Sequence, residues 1–438
     1  MTPCLSIESY PETGTDERWS CLYLDQKKPD ARFPVIEQGE APVIFGPYFN
    51  RPLPATSSCR IVIINFMIKT LLGGLSPTRF LRDYWHKRPL LIRNAVPGFQ
   101  GLLTPDDMMH LASRDDVESR LVRGSGTHWS LDDGPFRKND FKRLPKAEWT
   151  LLVQSLNHVL PEADALLAHF SFIPHARLDD LMVSYAVPGG SVGPHFDSYD
   201  VFLLQGQGHR RWQISTQSDL GLLEGAPLKI LKQFKPEEEW TLGPGDMLYL
   251  PPHAAHYGVA VDDCMTYSIG FRAPTAEELA YGFLTHLQDT LAMEGRYADP
   301  DLRLQTHPGE ISRGMLAQIG EMVARIQWNK RDIAEFAGRY LSDPKPNVFF
   351  DAPDAPLNRT AFIRQTDKKG VALDPKSRLL FAGGRFYING EAFTPGADEI
   401  AGLQQLADYR RLNPPLPVAL RERLHAWYES GWLEIESS

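Results

Sequence analysis

Two stretches decide the fold: Gly189-Gly190-Ser191-Val192-Gly193-Pro194-His195-Phe196-Asp197, and further on Gly245-Asp246-Met247-Leu248-Tyr249-Leu250-Pro251-Pro252-His253-Ala254-Ala255-His256. The first ends in a His-x-Asp pair. With 13 histidines and 55 acids in 438 residues, one or two His-x-(Asp/Glu) pairs arise by chance, and the chain has one, so context must decide its meaning. On a strand, residues i and i+2 share a face, so His195 and Asp197 can point at one ion. In the second stretch Gly245 and Pro251 bracket a short strand, a tight turn follows, and His256 lies just beyond it. Two histidines and a carboxylate make the facial triad of non-haem Fe(II) oxygenases, which keeps positions open for co-substrate and oxygen. The plainer alternative is two ordinary hairpins with polar ends, and these motifs alone do not choose.

Working outward, Leu181 to Arg272 alternates short Val/Leu/Ile/Phe/Tyr runs with Gly/Pro punctuation. That texture predicts an antiparallel barrel or double sheet. Within it, His209-Arg210-Arg211-Trp212-Gln213-Ile214 begins a strand. Period two puts Arg210 on the face of Trp212 and Ile214. If that face is the interior, Arg210 is an inward cation, which is costly unless paired. Its fork suits a carboxylate, and a dicarboxylate such as 2-oxoglutarate supplies one. A salt bridge to an internal acid, or a charge reaching solvent at the barrel mouth, is the alternative.

The flanks read differently. Ser76 as N-cap and Pro77 at the first helical position predict a helix with Phe80, Leu81, Tyr84 and Trp85 on one stripe. Residues 106–160 read as helical and mixed, with an aromatic loop around His128–Phe136. After Ala273, Thr275-Ala276-Glu277-Glu278 is a capping box leading a helix, and Met315, Ile319, Met322 and Ile326 mark another. Residues 343–375 read as loop, followed by a hairpin around Gly383-Gly384 and a last helix near Pro417–Ser430. Residues 1–66 hold eight prolines and no histidine. They are expected to be a disordered extension or sequence upstream of a start at Met67, the alternative being a short N-terminal subdomain.

Composition bounds the function. Hydrophobic residues are 42% and charged residues 23%, a globular balance that excludes bulk disorder and fibrous repeats. The net charge of −9 argues against a chain-wide nucleic-acid footprint, and no apolar run approaches a membrane span. Cys4, Cys21, Cys59 and Cys264 form no C-x-x-C pair, and acids occupy the N-terminus where a secretory signal would need basic and then apolar residues. A reducing cytosol is the expected compartment.

Asp180–Gly206, together with Leu248–Pro252, His256 and Tyr267–Pro274, resembles the bacterial ribosomal oxygenases of the JmjC/cupin group, with weaker similarity over about 370 residues beginning just after Met67. It implies an α+β chain: a double-stranded β-helix (JmjC/cupin jelly-roll) barrel at 67–274, a helical dimerisation region at 275–345 and a winged-helix-like C-terminal domain at 346–438. It implies an Fe(II)- and 2-oxoglutarate-dependent hydroxylase acting on an arginine side chain of a large-subunit ribosomal protein. The partners are then that ribosomal protein and a second copy of the chain, with neither nucleic acid nor membrane. His195, Asp197 and His256 carry over as metal ligands and catalytic residues, and Arg210 as co-substrate anchor. Thr266, where the family often has Asn, and Ser268 carry over weakly as co-substrate contacts.

The chain also departs from the pattern. His253 stands where the second cupin motif usually has Gly, so its backbone is expected to need positive φ, and it competes with His256 as ligand. Nothing at Val201 or Phe202 matches the cupin glutamate that adds a fourth ligand. Tyr199, Asp200 and the loop around Trp129 are candidates for the substrate mouth. The rival functions are a metal-dependent cupin isomerase or hydrolase, and a non-enzymatic module that holds a basic protein.

Overall fold

The structure, a computed structural model, describes residues 34–36 and 70–436. Apart from Pro34, Val35 and Ile36, the expectations for residues 1–66 lie outside the described residues. Two compact units divide the chain, one comprising Met1–Val153 with Val183–Ser268 and the other Gln154–Met182 with Ile269–Ser438.

The elements of the first half are β1 (Val35–Ile36), α1 (Pro77–Asp83), β2 (Leu90–Ile92), α2 (Pro105–Leu111), β3 (Ser119–Ser125), β4 (His128–Asp133), α3 (Lys138–Phe141), β5 (Trp149–Val153) and α4 (Pro161–Ala168). There follow β6 (Leu178–Ala186), β7 (Val201–Gln207), β8 (Arg210–Ser215), β9 (Glu238–Leu242), β10 (Met247–Leu250), β11 (Ala255–Ala260) and β12 (Cys264–Phe271). One sheet runs β1-β2-β10-β7-β12-β6-β5-β3-β4 and a smaller one runs β11-β8-β9.

The two sheets share an apolar core. Leu91, Val201, Leu203, Leu248 and Leu250 from the large sheet cluster with Trp212, Ile214 and Leu242 from the small one. The opposite face of β7 is covered as well: Phe202 packs against Phe80 of α1 and Tyr249 of β10, with ring centroids 5.4 and 4.9 Å apart. A strand covered on both sides reads as a continuous apolar run rather than an alternation, as Val201–Leu204 does. Helix α1 starts as its sequence predicts, with the Ser76 hydroxyl accepting from the Arg79 N–H and Pro77 in the first turn.

The helical reading of residues 106–160 is corrected. Only short helices α2 and α3 form there, with a 3₁₀ turn at Leu156–His158, and β3 pairs with both β4 and β5. The predicted loop at 128–136 is largely strand β4. Strand β5 is buried along its whole length, which erases the period-two signal, while β4 is a polar edge strand.

The second unit carries α5 (Ala276–Thr290), α6 (Arg313–Val323), α7 (Lys330–Ser342), α8 (Arg359–Lys369), β13 (Val371–Leu373), β14 (Leu379–Ala382), β15 (Arg385–Ile388), β16 (Glu391–Phe393), α9 (Ile400–Tyr409), β17 (Arg411–Leu412), α10 (Arg421–Glu429) and β18 (Leu433–Ile435). The Thr275/Glu278 capping box is present, and the hairpin around Gly383-Gly384 forms. Phe362, Leu403, Leu406, Leu420, Leu424 and Trp427 centre the C-terminal core. The 343–375 loop is corrected to include helix α8, of which only Phe362 and Thr366 are buried. Among the described residues no helix is long and apolar enough to cross a membrane.

Candidate active site

His195 and Asp197 lie on the connection between β6 and β7, and His256 lies on β11. An isolated antiparallel bridge joins the two histidines: the His195 N–H donates to the His256 carbonyl at 2.9 Å and the reverse bond is 2.8 Å. One donor atom from each of His195, Asp197 and His256 lies within 4.8 Å of the others, with His256 Nε2 3.7 Å from Asp197 Oδ2.

Backbone carbonyls set the imidazoles. His195 Nδ1 is 2.9 Å from the Gly193 carbonyl, and His256 Nδ1 is 2.9 Å from the Ala254 carbonyl. A carbonyl only accepts, so each Nδ1 carries a proton, the tautomer in which the neutral ring offers its Nε2 lone pair to a metal. Desolvation, and then the neighbouring His195, push the buried His256 down to about 4, which keeps it neutral.

His253 has φ +64°, as the missing glycine predicts. Its ring is exposed, and its N–H donates to the Asp197 carbonyl at 2.8 Å. The turn therefore uses the His253 backbone to hold the segment that carries Asp197, while the structure gathers the His256 ring with the other two donors.

Strands β8 and β11 pair Arg210 with Ala260, Trp212 with Gly258 and Ile214 with His256. Residues opposite each other project to the same side, so Arg210 and Trp212 share the interior face with His256. Arg210 is 4% exposed, and its buried Nε and Nη2 have no hydrogen-bond partner. Among the described residues no acid forms an ion pair with it, so the internal salt bridge considered above is not formed. Nε–H and Nη2–H form one parallel edge of the guanidinium, the edge that takes a carboxylate bidentately.

Thr266 and Ser268 are both buried on β12, and the Thr266 hydroxyl donates to Gln205 Oε1 at 3.0 Å. The mouth candidates separate. Tyr199 is exposed. Asp200 is fully buried, accepting from the Tyr249 hydroxyl at 2.5 Å and bonding His86 Nδ1 at 2.8 Å, so it is an internal anchor rather than a rim residue. Trp129 approaches Gly193, where a Cβ would lie 3.1 Å from the indole and 2.4 Å from Ile230 Cδ1.

The sequence reading missed the carbonyls of Gly193 and Ala254. Their signal was a spacing: each stands two residues before its histidine.

Residues 165–279 match the JmjC domain family, and residues 325–434 match the ROXA-like winged helix family. The Escherichia coli (strain K12) ribosomal protein uL16 3-hydroxylase is 35% identical over 317 residues, covering 71% of this chain and 84% of that protein. The chain belongs to the JmjC-domain ribosomal oxygenases. A probable ribosomal oxygenase of Haemophilus influenzae is 44% identical over 235 residues, covering 52% of this chain and 56% of that protein. A solved structure of the Escherichia coli ribosomal oxygenase YcfD, in complex with cobalt and 2-oxoglutarate, superposes with TM-score 0.71 at 31% identity, covering 83% of this chain and 99% of that one. The fold is thus the JmjC/cupin barrel with a winged-helix C-terminal part, and membership in this oxygenase family leaves the isomerase, hydrolase and binding-module readings without support.

Proposed function

We propose that this oxygenase is an Fe(II)- and 2-oxoglutarate-dependent hydroxylase that modifies an arginine side chain of a large-subunit ribosomal protein in the cytosol. The observation that carries the reading is the interior face on which two imidazoles and a carboxylate converge, with an unpartnered guanidinium edge on the same face. Those donors suit a divalent transition metal with open positions, and the free edge of Arg210 suits the far carboxylate of a five-carbon 2-oxo diacid. The names of the relatives support a ribosomal protein as substrate.

His195, Asp197 and His256 hold the metal in this reading, and Arg210 orients the co-substrate, with Thr266 and Ser268 lining its pocket. A metal held there would supply oxygen activation, one oxygen atom passing to succinate as 2-oxoglutarate loses CO₂ and the other into a substrate C–H bond. The two carbonyl-bonded Nδ1 protons fix the imidazole tautomers throughout.

Residues 67–274 form the catalytic domain in this proposal, 275–345 a dimerisation region and 346–438 the winged-helix-like domain. Self-association is supported by Tyr281 and Leu284 of α5 and by Leu316, Ile319 and Val323 of α6, all of which are exposed. Leu316, Ile319 and Val323 stand three and four residues apart on α6, an exposed apolar helix face of the kind that marks association surfaces.

The test is turnover of 2-oxoglutarate by purified protein with Fe(II), with and without a peptide from the ribosomal protein. Succinate release stimulated by peptide is expected, and no release under either condition overturns the proposal.

A further inference from the structure

We infer that Trp212 is a second hydrogen-bond donor to the co-substrate, placed beside Arg210 to hold the carboxylate remote from the metal. The inference rests on the 2-oxoglutarate reading above and assigns a further residue to it.

The starting observation is an orphan. Trp212 is 4% exposed, and its indole Nε1 has no hydrogen-bond partner. Buried donors are nearly always paired, so each exception calls for an explanation. Other buried orphan nitrogens belong to arginines that satisfy themselves otherwise. Arg123 bonds Asp132, Arg385 bonds Glu335, Arg421 bonds Asp367, and Arg410 donates to the carbonyls of Ser377, Asp374 and Pro375. Arg210 and Trp212 have no such outlet. They stand two residues apart on one face of one strand, so three unpartnered nitrogens share that face.

The ring is held in a defined orientation. Across the ladder Trp212 faces Gly258, where a Cβ would lie 2.6–2.8 Å from Cζ3, Cη2 and Cε3 of the indole. No side chain other than hydrogen leaves room for the six-membered ring to lie there. Nε1 is on the opposite edge of the indole from those three carbons, so contact with Gly258 turns the N–H away from β11.

Position then selects the ligand atom. The Trp212 and His256 ring centroids are 5.9 Å apart, and the Arg210 Cζ is 5.8 Å from the indole ring. The indole therefore flanks the path from the metal-facing imidazole to the guanidinium. A co-substrate that chelates the metal through its oxo-acid end and reaches Arg210 with its other carboxylate passes along this ring. The bidentate edge of Arg210 uses one lone pair of each carboxylate oxygen, and each oxygen keeps another for the indole N–H.

The experiment uses the full chain labelled with ¹⁵N at tryptophan indoles and loaded with redox-inert Zn(II). The indole cross-peak that Trp212→Phe removes is followed while 2-oxoglutarate is added, and separately 2-oxobutyrate, which keeps the chelating end and lacks the far carboxylate. A downfield shift with 2-oxoglutarate and none with 2-oxobutyrate is expected. If calorimetry shows 2-oxoglutarate bound while the peak is unmoved, or moves alike with both ligands, the role of Trp212 is overturned and the co-substrate reading stands. If 2-oxoglutarate does not bind the Zn(II) protein, both fall. Trp212→Phe is further expected to weaken 2-oxoglutarate binding about tenfold, leaving Zn(II) affinity unchanged. Equal losses of both would mark a packing role and overturn the inference.

Discussion

His195 and His256 are each other's backbone partners: two hydrogen bonds of 2.9 and 2.8 Å join them, and their ring centroids are 4.2 Å apart. The connection that carries His-x-Asp is thereby tied to the strand that carries the third donor. The side chains inherit their spacing from a backbone bridge, so the site is preorganised before any ion arrives.

The Gly193 carbonyl that orients His195 sits on a residue with φ +82°, and a Cβ there would lie 2.4 Å from Ile230 Cδ1. Gly193→Ala therefore meets both a left-handed backbone and a clash. It is expected to weaken metal binding by about ten- to a hundredfold, the usual effect of disturbing a ligand's supporting hydrogen bond. Competition with a chelating dye measures this, and unchanged affinity would show that the carbonyl is not needed.

His253 and His256 separate in a pair of substitutions. His253→Gly relieves a left-handed residue at an entropic cost of similar size, so stability should stay within about 1 kcal/mol, with metal affinity retained. His256→Gly should abolish metal binding. Loss of metal in the first variant and retention in the second would assign the ligand to His253.

Acid should destabilise the metal-free protein. Burial lowers both His256 and His158 from 6.5 to about 4. The unfolded chain therefore binds protons that the folded chain refuses, and folding loses stability as pH falls from about 6.5 toward 4. The melting temperature should be level above that window, as far as these groups decide it, and should decline within it. A melting temperature that rises on acidification through it would contradict the neutral state of these imidazoles.

Self-association has its own test. Leu284 of α5 and Leu316 of α6 are exposed in one chain. Changing both to Asp should convert a dimer to a monomer in light scattering. A wild-type monomer at micromolar concentration would remove this part of the proposal.

Much of this site was legible in the sequence, for reasons of spacing. His195 and Asp197 stand two apart, Arg210 alternates with Trp212 and Ile214, and the glycine missing at His253 forecast the positive φ. Caps were equally local, as Ser76 and Thr275 show. What was not legible depended on burial from both sides or on sparse apolar content. Strand β5 is buried along its whole length and so does not alternate, β4 alternates with only Trp129 and Leu131 as apolar members, and α8 buries only two of its residues. Asp200 looked like a rim residue because its partners, His86 and Tyr249, are distant in sequence.

Hydroxylation of a ribosomal protein arginine is read out by mass spectrometry of large-subunit proteins from cells with and without this gene. One added oxygen atom on an arginine is expected only when the gene is present, and it should be lost with His195→Ala or Asp197→Asn. Identical masses in both strains, or an added oxygen that survives those substitutions, would contradict it.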